Sequence, residues 1–420
     1  MEICPSHTGL RLKSSDHKWM ESRAVREIRR IVAVAGGRAR VVGGAVRDAL
    51  AGRLVQDIDF AVSLPPLEVM ALFQREGIKV VPTGIVHGTV TVVIEGKGYE
   101  LTTLRRDEAT DGRHAQVAFT NDWRQDAARR DFTFNALYLN DDGTIEDYFG
   151  GLDDLKARRI RFIGDPAARI NEDYLRILRA FRFMAQMGSD TVIEPESLAA
   201  CAAAARGLLR LSAERVTHEL IRLFAAPDPV PAVTLMTQVG VLPVLLAPLH
   251  PAARLARFIE AEKHYGLASD PVGRMAALYS GPCENVLNYI RFSRRERERF
   301  TALCRVLFGL AEPVSAASVR QKLYDFPRET VEQGLLLASL DGPREVAEGL
   351  KVAATWERPV FPLRGRDLIE RGLTEGPELG RIVRQAELWW REQDFRPTKC
   401  ALLDYALTLR APNLTTEEAV

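Results

Sequence analysis

Near residue 160 the apolar pattern of this chain changes period, and that switch restricts what it can fold into. Before it, β-branched runs alternate with turns, and residues 39–42, 57–62, 89–94, 99–104 and 136–139 have the length and composition of strands. Glu95-Gly96-Lys97-Gly98 joins the third and fourth as a hairpin. After the switch strand signals nearly vanish and apolar residues recur at helical spacing, as in Tyr174, Ile177, Leu178 and Phe181. The expected fold class is therefore α+β: a head with a mixed sheet followed by an all-helical remainder. A chain of 420 residues is long enough for two to four structural units. Pro/Gly clusters at 226–231, 280–282 and 341–343 mark joints within the helical part.

Composition excludes several classes. No apolar run approaches the roughly 18 residues of a membrane span, and the first 22 residues mix charges without the apolar core of a secretory signal. The five cysteines are isolated, odd in number and lack paired metal-ligand spacing, which points to reduced thiols and against structural zinc. A cytoplasmic enzyme is expected. Net charge is only +1, but residues 156–182 hold eight basic residues against three acidic ones, enough to hold phosphates. A second basic run, Arg291 to Arg299, reads equally as a solvated helix face or an RNA contact.

The chemistry lies in four ordered blocks. Val41-Val42 ends a strand, Gly43-Gly44 turns, and Ala45 to Ala51 begins a short helix whose free N–H groups suit phosphate, with Arg47 adding donors. Asp57 and Asp59 alternate with Ile58 and Phe60, so on a strand both carboxylates share one face, as hard Mg²⁺ ions in nucleotidyl transfer require. Glu100 is a candidate third carboxylate or a structural partner for Arg105 or His87, and His87 itself reads as structural. In Arg129-Arg130-Asp131-Phe132-Thr133-Phe134-Asn135-Ala136, Arg130 suits phosphate and Asp131, Thr133 or Asn135 suits a ribose hydroxyl, with both phenylalanines packed inward. On a helix, Asp173 and Arg176 would share one side. Together they could present acceptors and donors to the edge of cytosine or adenine, or form an intrahelical salt bridge, or both.

In this order the blocks closely resemble the class II tRNA nucleotidyltransferases, the CCA-adding enzymes and their bacterial poly(A) polymerase relatives, most strongly over residues 40–220. The resemblance implies a polymerase β-like head at 1–160, a neck at 161–228 that reads the base, a body at 229–342 and a tRNA-binding tail at 343–420. It implies a two-metal Mg²⁺ site on Asp57 and Asp59, with Glu100 as a further catalytic candidate. Nucleotide binding then falls to Gly43, Gly44, Arg47, Arg130, Asp131, Asn135, Asp173, Arg176, Arg179 and Arg182. The implied partners are CTP, ATP and the acceptor and TΨC arm of tRNA, with no membrane and no protein partner. Asp147 to Leu155 matches the family's hinge, Leu211 to Leu220 its neck-stabilising helix, and Arg106 to Asp122 its loop for adding the terminal A. Phe361 to Leu368, Gly376-Pro377 and Trp389-Trp390 resemble its tail, and the tryptophans are expected to pack between helices. Poly(A) polymerase is the enzymatic rival, but its members carry Pro-Lys-Asp-Phe-Asp where this chain has Val55-Gln56-Asp57-Ile58-Asp59. A non-catalytic RNA-binding relative would lack an acidic residue, a glycine or the base-reading pair, and all are present.

Overall fold

The computed structural model describes residues 6–107, 117–287, 289–309, 314–340 and 346–409. These form two compact units, Met1–Pro248 with Asn288–Arg291, and Leu249–Leu287 with Phe292–Val420.

The first unit is organised by an eight-stranded mixed sheet. Its strands are β1 (Ser6–Arg11), β2 (Ala39–Val42), β3 (Asp59–Val62), β4 (Lys79–Gly84), β5 (Thr89–Ile94), β6 (Lys97–Thr103), β7 (Leu137–Leu139) and β8 (Thr144–Asp147), in the order β1-β8-β7-β2-β3-β6-β5-β4. The β5–β6 hairpin closes on Ile94 opposite Lys97, with Glu95 and Gly96 both at positive φ, 52° and 77°, the backbone of a tight two-residue turn. β3 runs antiparallel to β2 and parallel to β6. One face of the sheet buries Val41, Phe60, Val62, Val90, Val92 and Leu101 against Val25 and Ile28 of helix α1 (Arg23–Val34) and Val69 and Phe73 of α3 (Pro66–Arg75). The opposite face carries Val42, Ala61, Leu104, Ala136 and Tyr138. Between α1 and α3 comes the short helix α2 (Gly44–Leu50), and α4 (Trp123–Ala128) and α5 (Gly151–Lys156) complete the head.

The helical part of this unit comprises α6 (Pro166–Glu172), α7 (Leu175–Met187), α8 (Pro195–Ala203), α9 (Ala213–Phe224) and α10 (Val230–Gln238). It is not wholly helical, because Val192–Ile193 pairs in parallel with Arg159–Ile160 and buries Ile193. Asp165 caps α6 by accepting from the Ala168 amide at 2.8 Å, with Pro166 in the first turn. Ser212 caps α9, whose buried stripe is Val216, Leu220, Leu223 and Phe224. Buried Ile177, Leu178 and Phe181 make the inner face of α7.

The second unit is helical throughout its described residues apart from its connections and one isolated bridge, Leu249 with Tyr279. One of its cores gathers Val319, Val331, Leu335 and Ala353. Another gathers Leu368, Ile382, Ala386, Trp390 and Leu402. Trp390 is buried with its ring edge-on to Phe395, and Trp389 stacks on Tyr405 at 4.3 Å. In the second basic run Arg294 pairs with Glu298 one turn on, and Arg299 with Asp270. Residues 108–116 of the loop read as a terminal-A device and the 341–343 joint lie outside the described residues. Among the described residues, no helix is long and apolar enough to cross a membrane.

Candidate active site

Strand pairing brings the first two blocks together. In the antiparallel register Val42 lies opposite Asp59, so the turn leaving β2 and the carboxylates entering β3 are neighbours. Gly43 has φ 71° and ψ −122°, a conformation that favours glycine, and an added Cβ would point at the Asn135 carbonyl 3.7 Å away. Asp57 precedes the strand instead of lying on it, because β3 begins at Asp59. The alternation of burial survives: Ile58 and Phe60 are buried while Asp57 and Asp59 are open to solvent.

Twelve of the thirteen candidate residues line a single cleft of about 560 Å³, and Glu100 is the exception. The parallel register of Phe60 with Leu101 sets Glu100 beside Asp59 one strand away. Packing of protein around Asp59, followed by the charges of Glu100 and Asp57, pushes its carboxyl up to about 6 against the pull of Arg130. Neither Asp57 nor Asp59 receives a hydrogen bond or salt bridge from a protein side chain among the described residues. A divalent cation would relieve this mutual repulsion, so the donor set fits hard-metal chemistry. Glu100 lies beside the pair one strand away, and among the described residues no group of three or more His, Cys, Asp or Glu is arranged to hold a metal. The His87 carbonyl accepts from Arg105.

The third block is fixed from below by two carboxylates that local sequence does not advertise. Asp126, wholly buried in α4, accepts from Arg129 at 2.8 Å, Arg130 at 2.9 Å and the Tyr138 hydroxyl at 2.7 Å. Burial raises its carboxyl, but Arg130, Arg129 and Tyr138 outweigh burial and bring it to about 2. Asp154, also wholly buried, accepts from Thr133 at 2.6 Å and from Arg159 and Arg161. Thr133 is thereby turned away from the cleft. Asp131 accepts from the Phe132 amide, Asn135 and Arg179 at 2.9, 3.0 and 2.7 Å. Burial raises Asp131, but Arg179, Asn135 and the amide bring it down to about 2. Asn135 in turn accepts from Arg47 at 2.8 Å.

The fourth block departs from the expected single helix. Asp173 is extended, at φ −154° and ψ 104°, between the end of α6 and the start of α7. Its carboxylate accepts from the Leu175 amide at 3.1 Å and from Arg215 of α9 at 2.7 Å. Arg176 donates to Glu172 and to the Arg169 carbonyl, each at 2.6 Å. Asp173 and Arg176 thus have separate partners, and no salt bridge joins them. Tyr174, expected in the buried stripe, is half-buried over Gly207, where a Cβ would come within 2.1 Å of its ring.

Further along α7, Arg182 is buried and donates to Glu219 of α9 at 2.6 Å, while Arg179 lies 3.7 Å from the same carboxylate. Burial lowers Arg182 to about 10 despite Glu219, and Arg179 and Arg222 add to the lowering. Phe183 carries three guanidiniums near its ring, Arg182 at 4.0 Å, Arg47 at 4.9 Å and Arg179 at 5.6 Å, and meets Phe132 and Phe134 edge-on. The sequence reading missed Phe183, Arg215 and Arg222 as cleft residues. Arg215 and Arg222 are seven apart on α9, a helical spacing that puts them on one face.

Residues 39–161 match the Poly A polymerase head domain, and residues 192–253 match the probable RNA and SrmB-binding site of polymerase A. The mitochondrial CCA tRNA nucleotidyltransferase 1 of Danio rerio is 34% identical over 373 residues, covering 87% of this chain and 86% of that protein. The CCA-adding enzyme of Levilactobacillus brevis is 32% identical over 381 residues, covering 89% of this chain and 94% of its own length. Among solved structures, Bacillus stearothermophilus CCA-adding enzyme in complex with CTP matches with a TM-score of 0.74 at 26% identity, covering 94% of this chain and 98% of that one.

Proposed function

Because this chain belongs to the CCA-adding tRNA nucleotidyltransferase family, we propose that it completes the 3′ end of tRNA with C, C and A from CTP and ATP without a nucleic-acid template. The observation that carries this reading is the pairing of Val42 with Asp59, which sets a phosphate turn beside two unpaired carboxylates in the cleft that also holds Asp173 and Arg176.

Asp57 and Asp59 would hold two Mg²⁺ ions. When bound, these ions supply a more acidic primer 3′-hydroxyl and charge neutralisation at the leaving pyrophosphate. The remaining work falls to the chain. Gly43 and Gly44 present backbone to the triphosphate, and Arg47 and Arg130 donate to its oxygens. Asp131 has its acceptor positions engaged by Phe132, Asn135 and Arg179, and Thr133 is committed to Asp154. Asn135 retains an amide hydrogen and an acceptor position, so it is the ribose partner, oriented by Asp131 and Arg47. Asp173 accepts the exocyclic amino hydrogen shared by cytosine and adenine, and Arg176 donates to the ring edge. The two are held from outside the pair, by Arg215 and by Glu172, which leaves their remaining positions for the base. Glu100 contributes negative potential beside Asp59.

We read a head (1–160), neck (161–228), body (229–342) and tail (343–420), with residues of the body in both compact units and the neck and tail following the acceptor–TΨC arm by shape and phosphate contact. The test is product length. A tRNA ending at its discriminator base should gain three nucleotides with CTP and ATP, two with CTP alone, and no long tail with excess ATP. Long adenylate tails on unstructured RNA with little use of CTP would establish poly(A) polymerase activity and overturn the proposal.

A further inference from the structure

Seven arginines line the cleft, and six of them are committed to carboxylates: Arg47 to Asp48, Arg130 to Asp126, Arg176 to Glu172, Arg179 to Asp131, Arg182 to Glu219 and Arg215 to Asp173. The seventh, Arg222 in the last turn of α9, has no acidic partner among the described residues. It stands near Arg182, whose charge it disfavours, while Glu219, one turn before it on α9, is committed to Arg182. A guanidinium open to solvent at a cleft wall, beside a like charge and free of a carboxylate, is available to an anion.

Its position along the cleft identifies which anion. α7 and α9 run side by side in the same sense, with Asp173 paired to Arg215, then Arg182 to Glu219, then Arg182 beside Arg222. The Asp173/Arg176 end is the base-reading end. Progress along α7 leads to Phe183, whose ring lies 4.9 Å from the guanidinium of Arg47, and Arg47 follows the Gly43-Gly44 turn. Arg222 therefore stands at the phosphate end of the cleft. We infer that Arg222 is a binding residue for the polyphosphate of the incoming nucleotide, independent of which base that nucleotide carries. The inference rests on the nucleotidyl-transfer reading given above. It explains why a cation is kept beside Arg182 in a protein that pairs its other cleft arginines: a triphosphate brings several negative charges to this end, and its arrival supplies the missing counter-charge.

The test uses full-length Arg222→Gln and Arg222→Lys. For Arg222→Gln, KM should rise by about tenfold for CTP and ATP alike, the loss expected for one hydrogen bond between charged groups. Arg222→Lys should recover part of that rise, and the ratio of C and A to U and G incorporation should stay at the wild-type value. In the ligand-free protein the melting temperature of Arg222→Gln should equal or exceed that of wild type, because the removed charge had no partner. Inorganic tripolyphosphate should raise the melting temperature of wild type more than that of Arg222→Gln. Unchanged nucleotide KM, a rise confined to the KM for tRNA, or a lowered ligand-free melting temperature in both variants would each overturn the inference. If wild type fails to extend tRNA, the proposed function falls, while the tripolyphosphate comparison still decides whether Arg222 binds polyphosphate.

Discussion

Replacing Asp126 with Asn tests how the cleft is held from beneath. The side chain is wholly buried, and its carboxylate is the common acceptor for Arg129, Arg130 and Tyr138. Asparagine keeps the volume but removes the charge, and its amide hydrogens would face donors. Removing one partner of a buried ion pair typically destabilises by about 3–5 kcal/mol. The side chains of Arg129 and Arg130 remain 13% and 18% exposed, so water can solvate them in part and the lower end, about 3 kcal/mol, is expected. A distinct pH signature accompanies this loss. The folded carboxyl lies at about 2 against an ordinary 3.8, a depression that corresponds to about 2 kcal/mol. A depressed carboxyl stabilises fully above its unfolded value and loses that contribution as pH falls towards its folded one. The difference between wild type and Asp126→Asn should therefore be constant from about pH 7 to 5 and narrow between about pH 4 and 2. Carboxylates common to both proteins, Asp131 among them, cancel in the difference. Urea unfolding of both proteins at pH 7, 5 and 3 measures it. A gap under about 1 kcal/mol at pH 7, or one that does not narrow at pH 3, would refute this account of Asp126.

Three further outcomes are expected. Asp59→Ala should stop C and A incorporation alike while leaving the circular dichroism spectrum and tRNA affinity near wild type, and wild-type turnover would remove the proposed metal site. Arg176→Ala should weaken discrimination of CTP and ATP against UTP and GTP by about 1–3 kcal/mol, measured as misincorporation; an unchanged profile would leave Arg176 only its contacts with Glu172 and Arg169. Gly151→Ala should lower the melting temperature markedly, since the new Cβ would lie 2.2 Å from the Thr133 carbonyl and force the backbone beside Asn135 to move.

The parts of this molecule legible in sequence are those encoded by short-range period. The strand runs at 39–42 and 89–94 match β2 and β5 for different local reasons: β5 alternates half-buried and buried positions, whereas β2 is buried at all four and is legible from its valines and the Gly-Gly turn that follows. β1, β4 and β8 went unread: β4 has only half-buried and exposed positions, so it carries no alternating burial for a pattern to reveal. The composition of residues 57–62 predicts a strand that includes Asp57, whereas backbone pairing with β2 begins at Asp59. The misreading of Asp173 has a different cause. Aspartate competes for backbone amides, and here it caps Leu175 and breaks the helix that i, i+3 counting had extended through it. An Asp immediately before the apolar run Tyr174-Leu175 was a readable start signal.

What spacing cannot disclose is the second layer of the site. Asp126, Asp154 and Glu219 touch no part of the proposed chemistry, yet each fixes residues of the blocks through a buried carboxylate. Glu219 reaches Arg182 across 37 positions in the chain and Arg215 reaches Asp173 across 42, so no window of local sequence contains both partners. α9, read as a helix that merely stabilises the neck, holds Asp173 with one residue, neutralises Arg182 with another and presents Arg222 to the cleft. On the proposed reading, fixing the base-reading and phosphate-binding groups to the same pair of helices keeps them at a constant separation while one site accepts two different bases in succession. Discrimination can then change with the base while the triphosphate stays in one place.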